Sequence, residues 1–112
     1  MLVTDIPVIV SDMIEGVKQG KGYKITVDGE VTEFNPTNGF YDIDKVRKAC
    51  DFSYFEIVHM ADNKSMFLCD EEGLLFGKPV NVIATFMVQK SYKTNEVGIV
   101  GDCVYCHVDS VK

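Results

Sequence analysis

Proline is scarce in this chain, with single residues at Pro7, Pro36 and Pro79, and no stretch is repeated or compositionally biased. Without a Pro- or Ser-rich linker, one compact unit is the simplest organisation. Basic residues are also few: 11 Lys+Arg stand against 17 Asp+Glu, for a net charge of −6. Such a field repels phosphates and anionic membrane surfaces, which argues against a general nucleic-acid binder. No apolar run approaches the ~20 residues of a membrane-spanning helix, and the richest one, Val80 to Val88, contains Asn81 and Thr85. The first ten residues are apolar but lack a basic start and include Asp5 and Pro7, so they do not read as a signal peptide. A cytoplasmic protein with reduced thiols is therefore expected.

Apolar side chains make up 46% of the 112 residues and aromatics 11%. That is enough for one core burying roughly 65% of the unfolded surface, and it argues against disorder. Residues Val10 to Gly22 carry the caps Ser11 and Asp12 and the closing Gly20 and Gly22, which fits a short helix or an ordered arm. Tyr23–Val27 and Val31–Phe34 alternate on either side of Asp28-Gly29 and predict a β-hairpin. After the loop from Asn35 to Gly39, Asp42 can cap a helix whose apolar positions are Ile43, Val46 and Cys50. Phe55–Val58 and Ser65–Cys69 predict a second hairpin around Ala61–Lys64.

Val80 to Lys90 matches both a helical and a strand pattern, and its length with the preceding Pro79 favours a helix. Val97 to Val108, broken by Gly98 and Gly101, reads as one or two strands with a bend. The expected fold is α+β: a mainly antiparallel sheet of hairpins with two helices on one face, in the order ββαββαβ. Residues 1–22 form an arm or short helix in this reading, and 23–112 form the single domain.

Cys103-Val-Tyr-Cys106-His107 is a literal C-x-x-C-H string, the spacing of covalent haem attachment. It lies in a strand-like run, and no export signal accompanies it. Zinc would need Cys103 and Cys106 completed by Cys50, Cys69, His59 or His107, with no second close pair present. Core cysteines are the simpler reading, and no cofactor is expected. Gly16 to Gly22 lacks the spacing of a phosphate-binding loop, and neither His59 nor His107 sits in a recognisable catalytic dyad. The carboxylates Asp28, Glu30, Glu33, Asp42, Asp44, Asp70, Glu71 and Glu72 could form a DNA-mimicking surface, but Lys24, Lys45 and Lys64 interrupt it.

Between about Tyr23 and Cys106 several pieces stand in order: Val31–Glu33, Tyr54–Val58, Met66–Gly73, Gly77–Thr85 and Ile99–Asp102. In these pieces the chain resembles a family of short bacterial, phage and mobile-element proteins, domain-of-unknown-function family 3846. The resemblance implies a small accessory protein and supplies no catalytic residues. At the matched positions, Asp70 to Gly73 would turn a hairpin, Asn81 would cap a helix, and Gly101-Asp102 would shape the last strand. Alternatively Asp70, Glu71, Glu72, Asn81 and Asp102 converge as ligand-binding groups beside one pocket.

Three functions follow as expectations. The first is a non-enzymatic protein that binds and modulates a bacterial host protein, with a homodimer through an exposed strand edge as a further possibility. The second is a small-ligand binder or enzyme using the pocket near Asp70, Asn81 and Asp102. The third is a zinc or redox protein using Cys103 and Cys106.

Overall fold

Three helices and five strands make up the residues described by the computed structural model, 6–111. They are α1 (Ile6–Lys18), β1 (Tyr23–Ile25), β2 (Val31–Glu33), α2 (Ile43–Cys50), β3 (Phe55–His59), β4 (Ser65–Asp70), α3 (Val82–Tyr92) and β5 (Cys103–His107), followed by a short 3-10 turn at Val108–Ser110. The α+β class and the antiparallel sheet agree with the sequence reading. The order is αββαββαβ, so the expected order and the count of two helices are corrected. The opening segment supplies the additional helix, which packs into the domain core. Residues 1–5 of the expected arm lie outside the described residues.

Helix α1 begins nearly two turns earlier than the caps at Ser11 and Asp12 suggested, with Pro7 in its first turn, where a missing N–H costs no helical bond. Its Ile6, Val10, Met13 and Val17 are buried at helical spacing along one stripe. Helix α2 starts where Asp42 accepts the Asp44 amide at 3.0 Å, with Asp44 in the first turn and Arg47 and Lys48 in the last. Helix α3 starts at Asn81 and ends at Lys93, whose left-handed backbone lets its N–H donate to the Gln89 carbonyl.

The strands lie in the order β2-β1-β5-β4-β3, with every neighbouring pair antiparallel. The first hairpin closes over Val27, Asp28 and Gly29, with Gly29 at φ +88°, a conformation glycine adopts without a side-chain clash. Both hairpins form as the sequence indicated. The last strand is inserted between them, which makes β5 central and leaves β2 and β3 at the edges. Of the apolar run from Val97, only Cys103–His107 joins the sheet as a strand, while Val100 makes an isolated bridge to Val80.

Side-chain alternation divides the core into two layers. Phe67, Cys69, Cys103 and Tyr105 face α1 and α3, together with Ile83, Ala84, Met87 and Val88. Met66, Leu68, Val104 and Cys106 face α2 through Val46, Cys50 and Phe52. The expected one-sided cover is thus corrected, because the two helices foreseen, α2 and α3, lie on opposite faces. The chain reaches β3 from β2 by passing α2 across the sheet from one edge to the other.

Candidate functional site

The residues singled out as ligand groups fall at one corner, where the segment from Asp70 to Asn81 meets residues 99–102. Asn81 is fully buried at the α3 N-terminus. Its Nδ2 donates to the carbonyls of Ile25 at 2.9 Å and Gly101 at 3.0 Å, and its Oδ1 accepts the Ala84 amide at 3.1 Å. One side chain therefore joins β1, the entry to β5 and the cap of α3. The Asn81 amide donates to the Ile99 carbonyl at 2.8 Å, and Gly101 donates to Pro79 at 2.8 Å.

Asp70, also buried, pairs with Lys78 at 2.8 Å and accepts the Glu72 amide at 2.8 Å. Lys78 further donates to the Asp51 carbonyl at the end of α2. Asp102 accepts the Val27 amide at 2.9 Å and so tethers the first hairpin turn. Gly73 belongs to the same join, because a Cβ there would stand 2.6 Å from Val100 Cγ2. Asp70, Asn81 and Asp102 make their contacts with the protein's own backbone and, for Asp70, with Lys78. Glu71 is exposed and its amide donates to the Tyr54 carbonyl, while Glu72 is half-buried.

The C-x-x-C-H string is divided by the sheet. Cys103 faces the α1 and α3 layer, and Cys106 faces the α2 layer. Alternation along β5 sends the two side chains to opposite faces, so this spacing cannot close on one metal or one disulfide as it would on a helix or loop. His107 spends its Nδ1 lone pair on the Asp109 amide at 3.0 Å. Among the described residues, no three His, Cys, Asp or Glu side chains gather in a metal-ligating group.

All four cysteines are buried and free. Desolvation pushes Cys50, Cys69 and Cys106 up to about 12, and drives Cys103 upward as well. Burial of this kind disfavours the thiolate, the nucleophilic form of cysteine. His59 lies on the edge strand β3. The acidic surface is interrupted by pairing: Glu33 meets Lys21 at 3.2 Å and Asp44 meets Arg47 at 3.1 Å.

A groove of about 460 Å³ runs between α1 and α3 over Tyr105 and Met60. Its charged groups are engaged locally. Lys18 approaches Glu15 at 3.9 Å, Lys90 lies over the Phe86 ring, and Asp62 accepts from the Lys64 and Ser65 amides.

A different feature stands out beyond the end of β4. In the turn 71–77, Leu74, Leu75 and Phe76 are 82%, 78% and 66% exposed. The turn is hydrogen-bonded: Phe76 donates to Glu72 at 3.0 Å, Gly77 to Leu74 at 3.1 Å and Lys78 to Gly73 at 2.9 Å. It holds three apolar side chains in water on a fixed ledge. Exposed Tyr54 adjoins it, since the Glu71 amide donates to the Tyr54 carbonyl. Between the ledge and the sheet lies a cleft of about 250 Å³, lined by Leu74, Val80, Ile99, Cys69, Glu56 and Glu71 among others.

Among the described residues, strand β3 beside the ledge has one neighbour, β4. Sequence reasoning treated Asp70 to Gly73 as a turn and passed over the next three residues. The signal was present as Leu74-Leu75-Phe76 placed between turn residues, with no periodicity to bury them.

No family model, curated protein or solved structure matches the chain. No helix among the described residues is long and apolar enough to cross a membrane.

Proposed function

We propose that this is a small protein-binding module that engages a partner through the apolar ledge of residues 74–76. The carrying observation is the exposure of Leu74, Leu75 and Phe76 on one hydrogen-bonded turn. Each large apolar side chain left in water forgoes about 1.5–3 kcal/mol of burial, and clustered exposure of this kind marks interaction surfaces. The resemblance noted above supports a bacterial host protein as the partner and modulation as the outcome. Catalysis is not part of the reading, because the buried polar groups are engaged in the fold and the thiols are protonated.

Affinity capture from a bacterial lysate tests the proposal, with the native sequence compared against the Leu74→Ser/Phe76→Ser variant. One protein captured in stoichiometric amount by the former and lost by the latter is expected. Equal capture by both, or capture by neither, overturns the ledge as the binding surface.

A further inference from the structure

The ledge is continuous with an open sheet edge, and the two together define the chemistry of what binds. Adjacent hydrogen bonds establish the backbone register of β3. Glu71 donates to the Tyr54 carbonyl and Met60 donates to the Ser65 carbonyl, so residues of even number in this stretch address β4. The backbone groups of Phe55, Ile57 and His59 therefore point away from the sheet. The His59 carbonyl is met from that side by the Tyr92 hydroxyl of α3, which covers one end of the edge. Phe55 and Ile57 face the opening next to the ledge.

On the face of the sheet that carries Cys69, the edge borders the 250 Å³ cleft, whose walls are Leu74, Val80 and Ile99. The acidic groups there are Glu56, Asp70 and Glu71, and Asp70 is neutralised by Lys78. Glu56 and Glu71 remain without an ion-pair partner among the described residues.

Resting on the protein-binding reading above, we infer that the occupant is an extended segment of the partner protein. It adds to the edge of β3, inserts an apolar side chain into the cleft and sets a Lys or Arg beside Glu56 and Glu71. Strand addition draws affinity from the main chain of Phe55 and Ile57, and it draws specificity from alternate side chains. The spacing of those side chains makes the expected pattern apolar–x–basic, both on the Cys69 face.

A second copy fits less well. Antiparallel pairing of β3 with β3 about a two-fold axis keeps like faces together, so it would add another Glu56 and Glu71 to the same face and supply no cation.

The test is selection from a displayed library of random short peptides on the full chain, with recovered peptides assayed on three variants. The expected result is enrichment of apolar–x–Lys/Arg sequences. Ile57→Pro, which removes an outward N–H and no β4 bond, should weaken them by about tenfold or more. Glu56→Lys should weaken them similarly and favour an acidic residue in place of the basic one. Enrichment without a basic preference, binding indifferent to both substitutions, self-association in place of peptide binding, or no enrichment overturns the inference.

Leu74→Ser/Phe76→Ser separates the two levels. If a captured partner is lost with this variant yet retained by Ile57→Pro and Glu56→Lys, strand addition fails while the ledge stands.

Discussion

Two neighbouring regions of this protein use opposite chemistry. At the corner joining residues 70–81 to 99–102, polar side chains are buried and committed: Asn81 to two carbonyls and an amide, Asp70 to Lys78 and Glu72, and Asp102 to Val27. A few residues away, at 74–76, apolar side chains stand in water. Polar groups inside and apolar groups outside are both exceptions to ordinary burial. They differ in what satisfies them. The corner is completed by the chain itself, whereas the ledge stays exposed among the described residues, and for that reason the proposed function is placed at the ledge.

The difference can be attacked first at the corner. Asn81→Ala removes a helix cap and the side-chain donor to two buried carbonyls, so it should cost about 3 kcal/mol in urea unfolding. A loss well under about 1 kcal/mol would remove Asn81 from its structural role.

Lys78→Met leaves the buried Asp70 carboxylate unpaired and should cost about 2 kcal/mol, less than for a deeply buried pair because Lys78 retains some solvent contact. Adding Asp70→Asn should recover most of that loss, because the amide oxygen still accepts from Glu72. Failure to recover it would show that the pair is not what Lys78 serves.

The thiols provide a pH test. Burial raises Cys50, Cys69 and Cys106 from 9 to about 12, so the folded state holds its protons more tightly than the unfolded chain. Their contribution is complete below pH 9 and is lost as pH rises toward 12. The urea midpoint should therefore fall across that interval, and native thiols should stay unreactive toward a thiol reagent near neutrality. A flat alkaline profile with rapid labelling would contradict the burial.

The smallest effect belongs to the ledge. Leu74→Ser and Phe76→Ser should each change stability by less than about 0.5 kcal/mol, as for surface positions generally, while partner binding disappears. A large loss of stability would mean that these side chains serve the fold after all.

Much of the fold was legible locally. Asp28-Gly29 marked the first hairpin, Asp42 and Asn81 marked the starts of two helices, and Pro79 with a long apolar run resolved a pattern that fitted both states. The two-sided cover was written less obviously, in Met66-Phe-Leu-Cys69 and Cys103-Val-Tyr-Cys106, which do not alternate. A strand buried on both faces reads as a continuous apolar run, and that pattern points to helices above and below the sheet. The central place of β5 was not legible, because pairing between Cys103–His107 and Tyr23–Ile25 spans most of the chain.

At the polar corner, the sequence singled out Asp70, Asn81 and Asp102 as polar groups at turns and a helix cap. It did not indicate that their hydrogen bonds are filled from within, since the carbonyls of Ile25 and Gly101 are invisible until the chain folds. The ledge needed the opposite attention, to apolar residues with no partner in the pattern.

Hydrogen exchange of the chain, free and bound to the protein it captures, tests the central claim most directly. Protection should rise in residues 55–59 and 71–77, with little change in the groove between α1 and α3 or at the already protected Asn81 corner. Protection confined to α1 and α3, with the ledge and β3 unchanged, would contradict it.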